Sequence, residues 1–147
     1  MHTGDLLDFG PDFDKGILAT LPPRLVGTPY PALVPRADSD GNDLAGIRLP
    51  EVAAPTATYT GWGLRAVPVG GDDGCDHFGQ RIDFAKTKAE RTASGDPRLS
   101  LEERYLTHAD YVDAVTRVAN TLKRDRLMLG EDVQAYIKKA NDSAVGK

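Results

Sequence analysis

The sequence predicts an α+β fold, with a proline-rich irregular N-terminal half that holds a small β-hairpin or sheet and a C-terminal helical hairpin. Three observations lead there. Residues 1–36 carry six prolines (Pro11, Pro22, Pro23, Pro29, Pro31 and Pro35), and proline excludes long helices and central strands. Turn-forming residues are concentrated in Asp38-Ser39-Asp40-Gly41-Asn42, where Asp and Asn bond their own backbone. From Leu99 onward the apolar residues recur at helical spacing. The 147 residues are expected to form one unit, residues 1–98 as extended segments and loops and residues 99–142 as the hairpin.

Each element has its own signal. Asp12 to Leu21 is free of proline, and Phe13, Ile17, Leu18 and Leu21 fall near helical spacing, which predicts a short helix. Ala32-Leu33-Val34 and Ala45 to Leu49 flank the acidic turn and read as a β-hairpin or two linked extended segments. Ala57 to Leu64 reads as a strand interrupted by Gly61 and Gly63 around Trp62, and Gly70 to Gly74 as a loop. A short helix is expected over Phe84 to Arg91. Ser100 with Glu103 three residues on forms a capping-box pattern that opens a helix to Tyr105. Tyr111, Ala114, Val115, Val118, Ala119 and Leu122 make one apolar stripe, with Lys123 and Arg124 suiting its C-terminal end. Val133, Tyr136, Ile137 and Ala140 make the stripe of the last helix.

Composition bounds the function. Hydrophobic residues make up 40% of the chain, on the low side for a globular domain, which points to much irregular, surface-hugging structure or to a face that expects a partner. A formal net charge of −4, without a basic stripe, argues against nucleic acid or an anionic membrane as partner. Met1 to Gly16 carries Asp5, Asp8, Asp12 and Asp14 and does not read as a signal peptide. No apolar run reaches bilayer length, so no membrane insertion is expected, and the compartment is left unassigned. The lone Cys75 excludes a disulfide within the chain.

Several constellations contain residue types that could carry chemistry. A strand-to-helix nucleophile elbow reads Gly-x-Ser-x-Gly, and none of Ser39, Ser94, Ser100 and Ser143 lies in that frame. Ser100 reads as a helix cap and Ser39 as a turn residue, while His2, His77 and His108 have no evident partner. Asp38 to Asp43 begins like a calcium loop, but Asp43 stands where the invariant glycine belongs and Leu49 where the bidentate glutamate belongs. A tight acidic turn without metal is the expectation. In the loop Asp72, Asp73, Cys75, Asp76 and His77, only Cys75 and His77 are strong zinc ligands, too few for a site. Its carboxylates also disfavour a Cys75 thiolate. Arg91, Asp96, Arg98, Glu102, Glu103 and Arg104 alternate in sign and read as a solvated helix start with local ion pairs. Tyr59 and Trp62 read as packing anchors rather than a stacking platform. No catalytic, cofactor-binding or metal-ligating residue is therefore assigned, and no cofactor is expected.

Three runs taken in order carry a resemblance. They are Pro35 to Arg65, with its acidic turn, Gly-Ile-Arg-Leu-Pro and Thr-Tyr-Thr-Gly-Trp steps; Phe84-Ala-Lys-Thr-Lys-Ala-Glu-Arg91; and Gly95-Asp-Pro-Arg-Leu-Ser-Leu-Glu-Glu-Arg-Tyr105. Together they resemble the C-terminal region of a bacterial family of poorly characterised proteins named by their α/β-hydrolase domain. The resemblance spans about Leu7 to Ala140. It implies that the serine nucleophile and catalytic histidine lie upstream of the matching segment. The chain is then expected to be a non-catalytic C-terminal segment that packs on or completes a hydrolase core, the parent hydrolysing an ester or amide. The alternative is a free-standing binding or assembly module that self-associates or pairs with a separate hydrolase.

Overall fold

A computed structural model of the chain describes residues 7–26, 33, 35–61, 63–64, 75–76 and 78–147. The chain divides into two compact units, residues 1–34 with 64–75 and residues 35–63 with 76–147. The two-residue strands β4 (Gly63–Leu64) and β5 (Cys75–Asp76) stand at two of the three points where the chain passes between these residue sets.

In the first unit, β1 (Leu7–Asp8) pairs antiparallel with β2 (Arg24–Leu25), Leu7 opposite Leu25. The helix expected over Asp12 to Leu21 does not form. Only a 3₁₀ turn, Phe13–Lys15, is present, and Gly16 ends it at φ 78°, a left-handed conformation that suits glycine. Phe9 stacks on Phe13 with ring centroids 4.7 Å apart. None of residues 7–26 is buried, and Leu7, Phe13, Ile17, Leu18, Leu21, Leu25 and Val26 are all exposed.

The second unit holds the helices and the core. The acidic turn is closed by a single bridge, Ala37 to Asp43, in place of the expected hairpin. The reason is that the chain turns into a helix straight afterwards: α1 (Pro50–Ala53) starts with proline at its first turn, where no N–H is needed. Ala32 and Val34, the other arm of that hairpin, lie outside the described residues. β3 (Ala57–Thr60) pairs antiparallel with β6 (Gln80–Asp83), Ala57 opposite Asp83 and Thr60 opposite Gln80. α2 (Lys88–Ser94) begins later than the expected Phe84, because Thr87 and Glu90 form a capping box that fixes its start. Ser100 and Glu103 cap α3 (Leu101–Arg104) as the sequence indicated.

α4 (His108–Arg124) and α5 (Gly130–Asp142) pack antiparallel, with His108 at the start of α4 beside Asn141 at the end of α5, and Lys123 beside Gly130 at the other end. Their buried residues are Val115, Ala119 and Leu122 on one helix and Val133 and Ala140 on the other, which lie on the predicted stripes. Val118, Tyr136 and Ile137 are half-buried at the stripe margins. Ala54 of the segment after α1 joins Val115 and Ala140 in a core against which Tyr111, Val112, Ala114 and Tyr136 pack. Tyr105 ties the strand region to this core: its ring meets Tyr111 edge-on at 5.0 Å and its hydroxyl donates to the Pro55 carbonyl at 3.1 Å. Among the described residues no helix is long and apolar enough to cross a membrane.

Candidate functional site

The acidic turn is built as a structural lock. Asp38 accepts the backbone N–H groups of Asp40 (2.9 Å) and Asn42 (3.0 Å) through Oδ1, while its Oδ2 meets the Arg48 guanidinium at 2.5 Å. Burial pushes the Asp38 carboxyl up, but these two N–H groups and Arg48 together hold it below its ordinary value. Gly41 adopts φ 78°, and a Cβ there would lie 2.9 Å from the Thr58 methyl, so both conformation and space require glycine. Asn42 is fully buried, and its side chain lies along β3 as a strand would. Its amide donates to the Ala57 carbonyl at 3.2 Å and its oxygen accepts the Tyr59 N–H at 2.8 Å.

Two arginines close on this turn from the segment that begins at Asp96. Arg104 makes a bidentate pair with Asp40, one bond at 2.8 Å, and both side chains are nearly buried, 14% and 13% exposed. Arg98 grips Asp96 at 2.6 Å and also donates to the Thr58 hydroxyl at 2.7 Å and to the Ile82 and Asp83 carbonyls. Thr58 in turn donates to the Asp40 carbonyl. Both guanidiniums stand over the buried Phe84 ring, Arg104 at 4.3 Å and Arg98 at 5.1 Å. Arg91 makes a second bidentate pair with Glu103, at 2.7 and 3.2 Å. The charged run Arg91 to Arg104 is thus drawn inward: of its three arginine–carboxylate pairings, Arg91–Glu103 and Arg104–Asp40 are tertiary or inter-element contacts rather than solvated neighbours. Among Arg91, Asp96, Arg98, Glu102, Glu103 and Arg104, Glu102 caps the N-terminus of α2 by accepting the Lys88 N–H at 2.8 Å.

These contacts set an acid response. The Arg98 side chain holds Asp96 down to about 2, and the Ser100 backbone N–H, then its hydroxyl and Arg91, hold Glu103 down to about 2. Groups depressed from 3.8 and 4.5 stabilise the fold above those unfolded values and lose that contribution as pH falls toward about 2. The thermal midpoint is therefore expected to drop as pH is lowered through this window, with a shallower drop for Glu103→Gln. A midpoint that stays level from about pH 5 to about pH 2 would contradict the assignment.

Residues of α1, α4, α5 and the β3–β6 pair line a cleft of about 190 Å³ whose polar lining includes Glu51, Tyr59, Arg81, Tyr111, Tyr136 and Lys139. Lys139 Nζ approaches Glu51 Oε1 at 3.4 Å, and Arg81 lies 6.0 Å over the Tyr59 ring while pairing with Asp83 at 2.8 Å. Burial pushes Tyr136 up to about 12, reinforced by the neighbouring Glu51 carboxylate, and burial also raises Tyr111. These phenols stay protonated at neutral pH, so the cleft presents hydrogen-bond donors and ring faces without an activated nucleophile. Its volume is below the range of about 300–1,000 Å³ usual for small-molecule sites.

The residues weighed for chemistry fall in separate places. The Ser100 hydroxyl donates to Glu103 at 2.8 Å, and Ser94 to the Arg91 carbonyl at 3.0 Å. Ser143 accepts the Val145 N–H at 3.4 Å, and both ring nitrogens of His108 face backbone carbonyls, those of Val145 (2.7 Å) and Asn141 (3.2 Å). Asp38, Asp40 and Asn42 spend their oxygens on Arg48, Arg104 and backbone. Among the described residues no group of three His, Cys, Asp or Glu side chains is placed to hold a metal. His2, Trp62, Asp72, Asp73 and His77, and the side chains of Cys75 and Asp76, lie outside the described residues. The Arg104–Asp40 and Arg98–Thr58 contacts escape sequence reading because 64 and 40 residues separate the partners.

The order of these elements, acidic turn, β3–β6 pair, capped short helices and helical hairpin, runs through a stretch that a family model recognises. The model described as an alpha/beta hydrolase domain matches residues 13–138. The chain belongs to the alpha/beta hydrolase domain family. No curated protein and no solved structure shows a match. The family match spans both the Arg104–Asp40 lock and the tyrosine-lined cleft, so both lie in the part of the chain that carries the alpha/beta hydrolase domain signature.

Proposed function

We propose that this chain is a non-catalytic C-terminal segment of an α/β-hydrolase that packs on, and completes, the hydrolase core of its parent protein. The parent reaction is hydrolysis of an ester or amide. The observation that carries this reading is the pairing of a family match over residues 13–138 with a sequence that has no Gly-x-Ser-x-Gly frame. The exposed apolar side chains support it. Leu7, Phe13, Ile17, Leu18, Leu21, Leu25 and Val26 bring a row of large hydrophobic groups to one short segment that buries none of its own residues. A segment of that kind is stabilised by a surface supplied from elsewhere.

The test has two parts. The isolated chain is expected to show no hydrolysis of p-nitrophenyl acetate above background, and a hydrolase core of the same family, expressed separately, is expected to bind it. Turnover blocked by a serine-directed phosphonate, with a labelled serine found by mass spectrometry, would overturn the non-catalytic assignment. A chain that forms a stable dimer and ignores the core would instead favour a self-associating module.

A further inference from the structure

The β3–β6 pair is a sheet of only two strands, and its two outer edges are treated differently. Antiparallel bonding alternates along the pair, and the Phe84 N–H bonded to the Thr56 carbonyl at 3.1 Å sets the phase. Thr58 and Ile82 therefore face each other with their backbone groups, while those of Ala57 and Tyr59 on β3, and of Arg81 and Asp83 on β6, point outward. The outer edge of β3 is closed, because Asn42 takes the Ala57 carbonyl and the Tyr59 N–H. The outer edge of β6 is open: among the described residues only the Asp83 carbonyl is occupied, by Arg98 at 3.3 Å. The Arg81 N–H and carbonyl and the Asp83 N–H have no partner there. Every residue of β6 is also exposed, Ile82 among them.

We propose that the outer edge of β6 pairs with an edge strand of the hydrolase-core sheet, extending that sheet into β6 and β3. The inference rests on the reading that the chain completes a hydrolase core, and it names the contact. A two-stranded ribbon is marginal by itself, and an unpaired edge is a template for another strand. A second copy of this chain is a poor occupant. Pairing centred on Arg81 would set Arg81 directly opposite its own copy, and like charges there are destabilising. The register that sets Arg81 opposite Asp83 needs the Asp83 carbonyl, which Arg98 already holds. A strand from a different surface avoids the first obstacle when a neutral or acidic residue stands opposite Arg81, and it avoids the second when it pairs in parallel, which uses the Arg81 N–H and carbonyl and the Asp83 N–H but not the Asp83 carbonyl. The charged pair Arg81–Asp83, 2.8 Å apart on this strand, suits an edge kept soluble until its partner arrives.

Amide hydrogen exchange on the full chain, alone and with a separately expressed hydrolase core of the same family, tests the contact. In the free chain the Arg81 and Asp83 amides are expected to exchange quickly and the Ile82 amide slowly. Adding the core is expected to slow Arg81 and Asp83 by at least about tenfold. Arg81→Pro removes the outward N–H without touching the bonds to β3, and is expected to weaken binding of the core by at least about tenfold, whereas Arg81→Ala keeps most of it. If the core binds but the Arg81 and Asp83 amides remain fast, the edge contact is wrong and the hydrolase-core reading stands. If the core does not bind at all, both fall. Protection that grows with the concentration of the chain alone would assign the edge to a second copy and also overturn the proposal.

Discussion

Replacing Arg104 by alanine is expected to destabilise the fold by about 3 kcal/mol, the low end for removing one partner of a buried ion pair. The low end applies because both side chains retain some exposure, 14% and 13%. Three losses add up in this variant. Asp40 keeps a nearly buried carboxylate without its bidentate partner, Phe84 loses a guanidinium stacked 4.3 Å away, and the Leu99 carbonyl loses a bond of 3.0 Å. Lysine is expected to restore little, since an ammonium cannot reproduce the planar two-bond fork. Equilibrium denaturation of Arg104→Ala, Asp40→Asn and the double variant measures the coupling directly. A loss under about 1 kcal/mol, the size seen for exposed pairs, would mean that the lock is no more than a surface contact.

Leu122→Ala is the second large effect, expected to cost about 2–5 kcal/mol, the usual range for a buried leucine. Leu122 is 7% exposed and closes the end of the α4 stripe against α5, where Val133 is buried. Asp113→Ala and Arg117→Ala, on the exposed side of the same helix, are expected to stay within about 0.5 kcal/mol. Urea unfolding of the three variants makes the comparison. A chain indifferent to Leu122→Ala would show that α4 and α5 do not form a cooperative pair in solution.

Both effects depend on burial, yet only one was legible in the sequence. The Leu122 stripe repeats every three or four residues, so its partners on the helix are close in the chain and the pattern can be seen in a short window. The Ser100–Glu103 cap is legible for the same reason, since its two partners sit three residues apart. Arg104 gave no such signal. Its neighbours Glu102 and Glu103 offer obvious local partners, a pattern that by itself points to a solvated run. The folded chain uses Glu103 for Arg91 and sends Arg104 to Asp40. The start of α2 and the shortened turn at Phe13–Lys15 show the local rules competing. A capping box starts α2 later than the expected Phe84, and a left-handed glycine ends the 3₁₀ turn where apolar spacing pointed to a longer helix.

The sequence by itself determined the α+β class, the capped start of α3, the two helical stripes and the absence of a nucleophile-elbow frame, because each depends on residues a few positions apart. Only the tertiary structure decided that the acidic turn is an arginine-locked base, that Asn42 closes the outer edge of β3 and that, among the described residues, the outer edge of β6 stays open. Those outcomes depend on which segments meet after collapse. A charge or an amide is directed by the field and the vacant backbone groups it finds there, and neither is written in its neighbours along the chain.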